Sequence, residues 1–307
     1  MEETYHIPVL PKEVIESLNL KSDQVVLDGT LGGAGHTSLI LSANKSIKVI
    51  AFDRDEEAIA FSKKRLGKDA KRVTFIHSNY KQIPEVLKTM DVKVDGLLLD
   101  LGVSSHQIDE ASRGFSFKKD SILDMRMDKS QDFSAMNVVN EYEEDELVRI
   151  FSSYGEEKFS KRIAKGVVQN RPISTTLELV DVIKGVVDKI NPRESMSSVQ
   201  RVFQAIRIEV NDELNGLYDL IVSFPEVMNK GARLSIISFH SLEDRIVKLA
   251  FNELCTSCIC PPRIPVCMCG HEAKAKHITR KPIIATEEEL TINSRSKPAK
   301  LRVVEIL

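Results

Sequence analysis

Short apolar runs recur along the first hundred residues, and each is followed by polar or glycine residues and then by a helical pattern. The runs lie near 25–27, 47–52, 72–77 and 94–99. Runs of this length and composition are typical of strands buried on both faces of a parallel sheet. Strands that alternate with helices predict an α/β fold that binds its ligands at the carboxyl ends of the strands.

The alternation stops after the fourth run and resumes only near residue 231. In between, the spacing predicts loops and then helices near 141–154, 156–170, 177–190 and 198–223. Thr175 and Glu178 form a capping box at the start of the third helix. The last helix carries an apolar stripe. We therefore predict an all-helical domain at 106–225, inserted into a sheet domain made of 1–105 and 226–307.

The sheet is predicted to continue with a buried strand at 233–239. Ser241 is expected to be the N-cap of the helix that follows, and His240 is expected to be a structural residue at the strand end. Two late strands, near 279–284 and 301–306, would close the sheet with an antiparallel edge.

A glycine-rich turn follows the first apolar run and is the strongest local signal in the chain. Asp28 ends the run, four glycines follow within seven residues, and a helical pattern starts after Ser38. Glycine allows a ligand to approach the backbone closely. Ser38 stands where a dinucleotide fingerprint needs its third glycine, and Asp28 would repel a pyrophosphate. The turn therefore favours S-adenosylmethionine, a cationic ligand, over a dinucleotide.

Three further residues at strand ends complete the predicted pocket. Asp53 lies about 25 residues beyond Asp28, where a ribose-binding acid is expected; the alternative role, helix N-cap, fits Asp55 better. Tyr80 could stack on adenine or simply cover the sheet edge. Asp100 ends the fourth run and begins the segment DLGVSS.

Composition restricts the function classes only weakly. The chain has 307 residues, a formal net charge of −2 and 42% hydrophobic residues, as an ordinary globular enzyme has. This charge neither indicates nor excludes nucleic-acid binding, because a basic face can lie on a neutral protein. Without a membrane-length apolar run or a signal-like N-terminal segment, we expect a cytoplasmic protein that does not span a membrane.

All five cysteines fall between Cys255 and Cys269. In a cytosolic protein, clustering of this kind argues against disulfides. Cys258, Cys260, Cys267 and Cys269 could hold a tetrahedral structural zinc. The alternative is a proline-rich surface loop with free thiols, and the sequence alone assigns no metal ligand.

Several segments together resemble one family, the ribosomal RNA small subunit methyltransferase H family, also called MraW. The segments follow the family's order along nearly the whole chain: HIPVL from His6, DGTLGGAGHT from Asp28, DLGVSS from Asp100, RGFSF from Arg113, LDMRMD from Leu123, YGEEKFSKRIA from Tyr154, FQAIRIEVN from Phe203 and RLSIISFHSLEDRIVK from Arg233.

The resemblance implies a class I, Rossmann-like methyltransferase sheet with an inserted all-helical domain for substrate recognition. It also implies methylation of the exocyclic N4 of one cytidine in the decoding centre of 16S rRNA, with S-adenosylmethionine as donor. The implied cofactor-binding residues are Ala34, Gly35, His36, Asp53, Tyr80, Asp100 and Gln107. One departure concerns the turn before Gln107, where His106 replaces the family's usual proline.

The chemistry of amine methylation suggests where catalysis takes place. The lone pair of a cytosine amine is delocalised into the ring, so the enzyme must align N4 with the methyl–sulfur bond at about 3 to 3.5 Å. Acceptors for the amine hydrogens are expected directly after the fourth strand. We predict Asp100, Ser104 and Ser105 as the catalytic candidates; for the serines, helix N-capping is the alternative.

The target base must leave its stack to react. Arg113, Phe115 and Phe117 are candidates to hold it, with loop packing as the alternative. Lys158, Arg162 and Lys165 recur at helical spacing and predict a basic stripe. The full set of basic residues that could face phosphates is Arg126, Lys158, Lys161, Arg162, Lys165, Arg171, Arg201, Arg207, Arg295, Lys297 and Lys300.

Two other functions remain open at this stage: methylation of an amino group in protein or DNA, and a non-catalytic module that binds the cofactor or RNA. The predicted partner is 16S rRNA within the small ribosomal subunit, although naked rRNA is an alternative substrate. The sequence leaves the oligomeric state open, a homodimer included.

Overall fold

The computed structural model describes residues 7–261 and 266–307, with the exception of the Ser105 side chain. His6 therefore lies outside the described residues. Two compact units are formed, one by Met1–Gly102 with Leu214–Leu307 and the other by Val103–Glu213. We call the first the sheet unit and the second the helical unit.

The sheet unit contains seven strands within the described residues: β1 (Val25–Asp28), β2 (Lys48–Asp53), β3 (Val73–His77), β4 (Val94–Asp100), β5 (Met228–Ser238), β6 (Ala275–His277) and β7 (Lys300–Ile306). Their order across the sheet is β3-β2-β1-β4-β5-β7-β6. The first five strands pair in parallel, and β7 runs antiparallel to both of its neighbours. The expected α/β sheet with an antiparallel edge is confirmed.

The helices are, in chain order, α1 (Pro11–Leu18), α2 (Gly35–Ala43), α3 (Glu56–Leu66), α4 (Ile83–Thr89), α5 (Ser105–Asp109), α6 (Ala135–Glu141), α7 (Glu144–Ser153), α8 (Ser160–Gln169), α9 (Thr176–Val187), α10 (Ser195–Asn211), α11 (Leu217–Ser223), α12 (Ser241–Cys255) and α13 (Glu287–Ile292). Of these, α5 to α10 belong to the helical unit.

Two apolar clusters hold the sheet unit together, with helices on both sides of the sheet. One cluster joins the sheet to α4, α11 and α12, and the other joins it to α1, α2 and α3. The strands β1, β2 and β4 contribute to both clusters, so they are buried on both faces. This burial explains why the strands appear in the sequence as continuous apolar runs.

The helical unit has a separate core formed by α6 to α10 and the loop segment 115–127. At the start of α9, the Thr175 hydroxyl accepts a hydrogen bond from the Glu178 N–H, while the Glu178 carboxylate accepts one from the Thr175 N–H. The predicted capping box is therefore present.

The helix predicted over 198–223 is two helices, α10 and α11. Asp212 ends α10 in the left-handed region with φ 48°, and Gly216 precedes α11 with φ 72°. The apolar spacing continues across this turn and conceals it in the sequence. As a result, residues 214–225 belong to the sheet unit, where Leu217, Leu220 and Ile221 enter a core cluster.

Two further details differ from the sequence prediction. Residues 279–284 do not form the expected strand, because Pro282 lacks the N–H that a strand interior needs. The strand that pairs with β7 is instead β6, which ends at His277. Ile283 keeps a single bridge to Leu301. The N-cap of α12 is His240 rather than Ser241, and its Nδ1 accepts the Glu243 N–H at 3.4 Å.

Across residues 7–261 and 266–307, no helix is long and apolar enough to cross a membrane.

Candidate active site

Three adjacent strands of the sheet unit each end in an aspartate. Asp53, Asp28 and Asp100 are the last residues of β2, β1 and β4, which are neighbours in the order β2-β1-β4. The chain changes direction across the sheet between β1 and β4, and ligands of such sheets bind at this point. Three carboxylates there make a site suited to a cation.

Asp28 is buried beneath the glycine-rich turn. Its carboxylate accepts hydrogen bonds from the Thr37 hydroxyl at 2.6 Å and from the Thr30 N–H at 3.2 Å. Burial raises the pKa of the Asp28 carboxyl despite these bonds. Asp28 thus ties the start of the turn to the first turn of α2.

Asp53 ties the same turn to β2. Its Oδ2 accepts the Gly32 N–H at 2.7 Å, and its Oδ1 accepts the Asp55 N–H at 2.8 Å. Burial raises the pKa of the Asp53 carboxyl to about 6, although both backbone hydrogen bonds lower it. Each carboxylate oxygen keeps a second lone pair, so vicinal hydroxyls can still donate to Asp53.

Glycine is required at the start of the turn for packing. A Cβ on Gly29 would lie 2.3 Å from Leu99 Cδ2 and 3.0 Å from Ile83 Cδ1, and both of these side chains are fully buried. Farther along, Ala34 takes the left-handed conformation with φ 57° and forms the N-cap position of α2. The turn therefore presents the N-terminus of α2 at the end of β1.

The segment before α1 packs against this turn. A Cβ on Gly35 would lie 3.2 Å from the Pro8 ring, and the His36 side chain bonds to the Val9 carbonyl through Nε2 at 2.8 Å. A carbonyl only accepts, so Nε2 carries the proton. This leaves Nδ1 of the buried His36 ring 3.6 Å from Asp100 Oδ2.

Asp100 has the least saturated carboxylate of the three. Its Oδ1 is buried and has no hydrogen-bond partner among the described residues. The backbone beside it is fixed, because the Asp100 N–H donates to Thr30 Oγ1 at 2.7 Å. Burial raises the pKa of the Asp100 carboxyl to about 6; His36 lowers it, and the nearby Asp28 and Glu243 raise it. A buried acceptor of this kind is the arrangement expected of a group that bonds to a ligand.

Tyr80 begins a short 3-10 helix after β3, and the Asn79 side chain caps that helix. The ring is partly buried against the sheet core. It therefore covers core residues, and stacking on a ligand remains a prediction.

The helical unit contains the other predicted site residues. Ser104 is the N-cap of α5: its hydroxyl accepts the Gln107 N–H at 3.2 Å, and Gln107 Oε1 accepts the Ser104 N–H at 3.1 Å. For Ser104, this is the capping role that the sequence left open as the alternative. The capping bonds occupy one acceptor site on the Ser104 hydroxyl and one on the Gln107 amide oxygen. The Ser105 side chain lies outside the described part of the structure.

The residues proposed to hold the flipped base pack inside the helical unit instead. Arg113 is only 1% exposed and donates to the Arg126 and Met127 carbonyls. Phe115 is buried in the core, and Phe117 makes an edge-to-face contact with Phe203 at a centroid distance of 5.8 Å. The loop-packing alternative describes these three residues correctly.

Most of the predicted phosphate contacts have partners within the protein. Five of the basic side chains form ion pairs, and Arg171 bonds to two backbone carbonyls. The ion pairs are Arg126–Asp124, Lys158–Glu194, Arg201–Glu157, Arg207–Glu213 and Lys300–Asp244.

The basic stripe is shifted relative to the prediction. Lys158 lies outside α8, which begins at Ser160. Its ammonium group pairs with Glu194. Lys161, Arg162 and Lys165 are exposed on α8. Their spacing of three and four residues puts them on one face. We call these three residues the α8 basic face.

Sequence reasoning missed the residues that support the site. Thr30 and Thr37 orient Asp100 and Asp28, while Val9 fixes the tautomer of His36. Thr30 lies directly after the first of the four glycines and Thr37 lies two residues after the last, and their hydroxyls at strand and helix ends are an available signal. The contact from Val9 joins distant positions, and no local pattern indicates it.

These features define the class of protein: a Rossmann-like α/β protein with three carboxylates at the switch point of its sheet, where a cationic, nucleotide-like ligand is expected. The model of the MraW methylase family matches residues 3–307. The chain therefore belongs to the MraW methylase family, and the resemblance noted in the sequence is confirmed.

Two relatives at about 50% identity agree with this assignment. Ribosomal RNA small subunit methyltransferase H of Clostridioides difficile (strain 630) is 52% identical over 309 residues, covering 99% of both chains. The protein of the same name from Clostridium botulinum (strain Loch Maree / Type A3) is 53% identical over 303 residues, covering 97% of both. Among solved structures, an rRNA methylase from Streptococcus thermophilus has 11% identity and a TM-score of 0.40, covering 97% of this chain and 96% of that one.

Proposed function

We propose that this methylase transfers a methyl group from S-adenosylmethionine to the exocyclic N4 of a cytidine in the 16S rRNA decoding centre. The observation that carries the proposal is the buried Oδ1 of Asp100, an acceptor at the carboxyl end of β4 to which none of the described residues donates. The substrate class follows from the names of relatives that are about half identical to this chain over nearly its whole length.

The sheet unit supplies the donor site. The backbone of Ala34, Gly35 and His36 forms the N-terminus of α2, and its N–H groups are proposed to contact the donor. Asp53 accepts hydrogen bonds from the ribose hydroxyls, and Tyr80 lies against the adenine. The three strand-end carboxylates give the site the negative potential that a sulfonium and an ammonium group require.

When bound, S-adenosylmethionine supplies an electrophilic methyl group. Asp100 accepts a hydrogen bond from the N4 amine, which localises the nitrogen lone pair and holds it in line with the methyl group. The amine nitrogen forms the new carbon–nitrogen bond as the carbon–sulfur bond breaks. The proton then released from N4 passes to water.

The helical unit is proposed to recognise the RNA. Its α8 basic face is exposed and contacts phosphates, and its α5 segment carries Ser104 and Ser105. Gln107 in the same segment keeps its proposed role as a cofactor contact. The Ser104 hydroxyl already caps α5, so Asp100 is the principal catalytic acceptor and the two serines are secondary candidates. Because the substrate is rRNA, we expect the enzyme to act in the cytoplasm.

The test is a methyl-transfer assay with labelled S-adenosylmethionine. Small ribosomal subunits from a strain lacking this modification serve as acceptor, with naked 16S rRNA, DNA and total protein in parallel. Products are digested, and nucleosides are identified by mass spectrometry. Label in N4-methylcytidine supports the proposal. Label in protein or DNA, or none in RNA despite measured cofactor binding, contradicts it.

A further inference from the structure

The loop between α12 and β6 gathers four cysteines into one cluster. Cys258, Cys260, Cys267 and Cys269 have their Sγ atoms all within 4.8 Å of one another. Three of the separations are 3.4 Å for Cys267–Cys269, 3.9 Å for Cys258–Cys269 and 4.0 Å for Cys260–Cys267. We call these four residues the thiol cluster.

These separations match the edges of a small tetrahedron. Zinc binds thiolate sulfur at about 2.3 Å, so the sulfur atoms of a tetrahedral site with four cysteine ligands are about 3.8 Å apart. The three separations above scatter around that value. A disulfide needs about 2.05 Å between sulfurs, and all five cysteines are free thiols.

Backbone amides point at the sulfur atoms, as expected around a thiolate site. The Ile259 N–H donates to Cys269 Sγ at 3.5 Å, the Cys260 N–H to Cys258 Sγ at 3.4 Å, and the Met268 N–H to Cys260 Sγ at 3.5 Å. Such hydrogen bonds stabilise sulfur in its anionic form and orient the ligands of a metal.

The described residues of this loop bury little apolar surface that could hold its shape. Ile259, Val266 and Met268 are 65%, 70% and 84% exposed. A segment of this kind needs another source of order, and a structural metal is a common one in small units.

We propose that the thiol cluster binds one structural zinc ion. All four positions are filled by protein ligands, so the site is closed and has no role in methyl transfer. A site with four thiolates within 4.8 Å has space for one ion rather than for a multi-iron cluster. The ion cross-links the two halves of the loop, from 258–260 to 267–269.

The test begins with metal content. The full chain is purified under reducing conditions without chelators, and zinc and iron are measured by mass spectrometry. About one zinc per chain is expected for wild type and for the Cys255→Ser control, since Cys255 lies outside the thiol cluster. The double variant Cys258→Ser/Cys269→Ser should hold less than about a tenth of that.

A second measurement uses the wild-type chain, so that misfolding of a variant cannot decide the result. A mercurial reagent displaces the zinc, and hydrogen exchange is followed at the amides of Ile259, Cys260 and Met268. Their exchange should quicken by about tenfold or more while the sheet amides remain protected. Absence of zinc after incubation with excess Zn²⁺, stoichiometric iron in its place, or a mass lowered by disulfide formation would overturn the proposal.

Discussion

Asp100 has one carboxylate oxygen beside His36 and the other, Oδ1, buried without a hydrogen-bond donor from the described part of the chain. Desolvating an acceptor without a partner costs about 1 to 3 kcal/mol. An amine that donates to Oδ1 in the transition state recovers this free energy at the moment of reaction. Under the proposed mechanism, the desolvation cost in the free enzyme and the acceleration of the reaction would therefore have the same origin.

Replacing Asp100 with Ala should lower kcat by about 10²- to 10³-fold at saturating S-adenosylmethionine, because one preorganised polar contact to the reacting group is lost. Asp100→Asn should be less impaired, since its amide oxygen can still accept. Initial rates of methyl transfer to small subunits measure both.

The control for this pair is Asp91→Asn, which removes a carboxylate from an exposed turn and keeps a side chain suited to its positive φ of 54°. It should have the kcat of the wild type. Normal turnover of Asp100→Ala would show that another acceptor polarises the amine.

Cofactor affinity should depend on pH because the pKa values of the Asp53 and Asp100 carboxyls are both raised by burial to about 6. Below that pH the free enzyme is protonated at these sites, and a cationic ligand must displace the protons. The dissociation constant for S-adenosylmethionine should therefore rise as pH falls through 6, by about tenfold per pH unit for each proton displaced.

Calorimetry in buffers with different ionisation enthalpies measures the protons released on binding. Release should be about half a proton per site at pH 6, should rise towards one proton per site below pH 6, and should decrease by one site in Asp100→Asn. Affinity that stays constant from pH 5 to pH 8 would mean that both carboxyls keep their protonation state when the ligand binds.

At the scale of elements, the packing of the helical unit depends on glycines in two different settings. Gly155 follows α7, and a Cβ there would lie 2.7 Å from the carbonyl oxygens of Phe151 and Arg201. Gly185 lies within α9, and apart from its chain neighbours and the backbone of its own helix, a Cβ there would meet no described atom within 4 Å. Close backbone contacts leave no room for a side chain at position 155, so glycine is required there. At position 185 a side chain has room, and glycine only lowers the stability of the helix.

The variant Gly155→Ala should lower the free energy of unfolding by about 2 kcal/mol or more, because backbone atoms must move to admit the methyl group. Gly185→Ala should raise it by about 0.5 to 1 kcal/mol through helix propensity. Urea unfolding followed by circular dichroism measures both, and each variant is the control for the other. Equal effects of the same sign would contradict the packing described here.

The sequence predicts elements well where each has its own periodicity. The five parallel strands and the capping box at Thr175 are found because apolar runs and capping pairs are local signals. The break between α10 and α11 is not predicted, since the left-handed Asp212 interrupts a stripe of apolar residues without changing its period. Partners of charged residues are missed because they are distant in the chain: Glu157 is 44 positions from Arg201.

The α8 basic face is the element on which RNA affinity should depend. Lys161→Ala, Arg162→Ala and Lys165→Ala combined should weaken binding to naked 16S rRNA by about tenfold or more at low salt, while the affinity for S-adenosylmethionine stays constant. Filter binding and calorimetry measure the two affinities.

A matched control removes three exposed lysines of the sheet unit, Lys64, Lys68 and Lys71, and so changes the net charge equally. It should keep the RNA affinity of the wild type. Equal losses in the two triple variants would indicate that net charge, rather than the α8 basic face, determines binding.

For the whole molecule, the division into a sheet unit and a helical unit explains which candidate residues the sequence could place. Ala34, Gly35, Asp53 and Asp100 lie on the sheet unit, whose topology constrains their placement by itself. Ser104 and Gln107 lie on the helical unit. Their capping bonds to each other can be predicted from a local pattern, because the two residues are three positions apart. Arg113 and Phe115 are buried in the helical unit, and the sequence does not indicate this packing because aromatic and basic loop residues can equally form a core or face a ligand.

The net charge of −2 leads to a prediction about the preferred substrate. A chain with a net negative charge gains little from phosphate attraction alone, so the assembled small subunit should be methylated with a kcat/KM about tenfold or more above that of naked 16S rRNA. With about three phosphate contacts from the α8 basic face, the logarithm of RNA affinity should fall with the logarithm of salt concentration with a slope of about −2 to −3. Initial rates on both substrates and RNA binding, each over a range of potassium chloride concentrations, measure the two quantities. A steep slope together with equal rates would show that recognition depends on the RNA backbone rather than on the shape of an assembled surface.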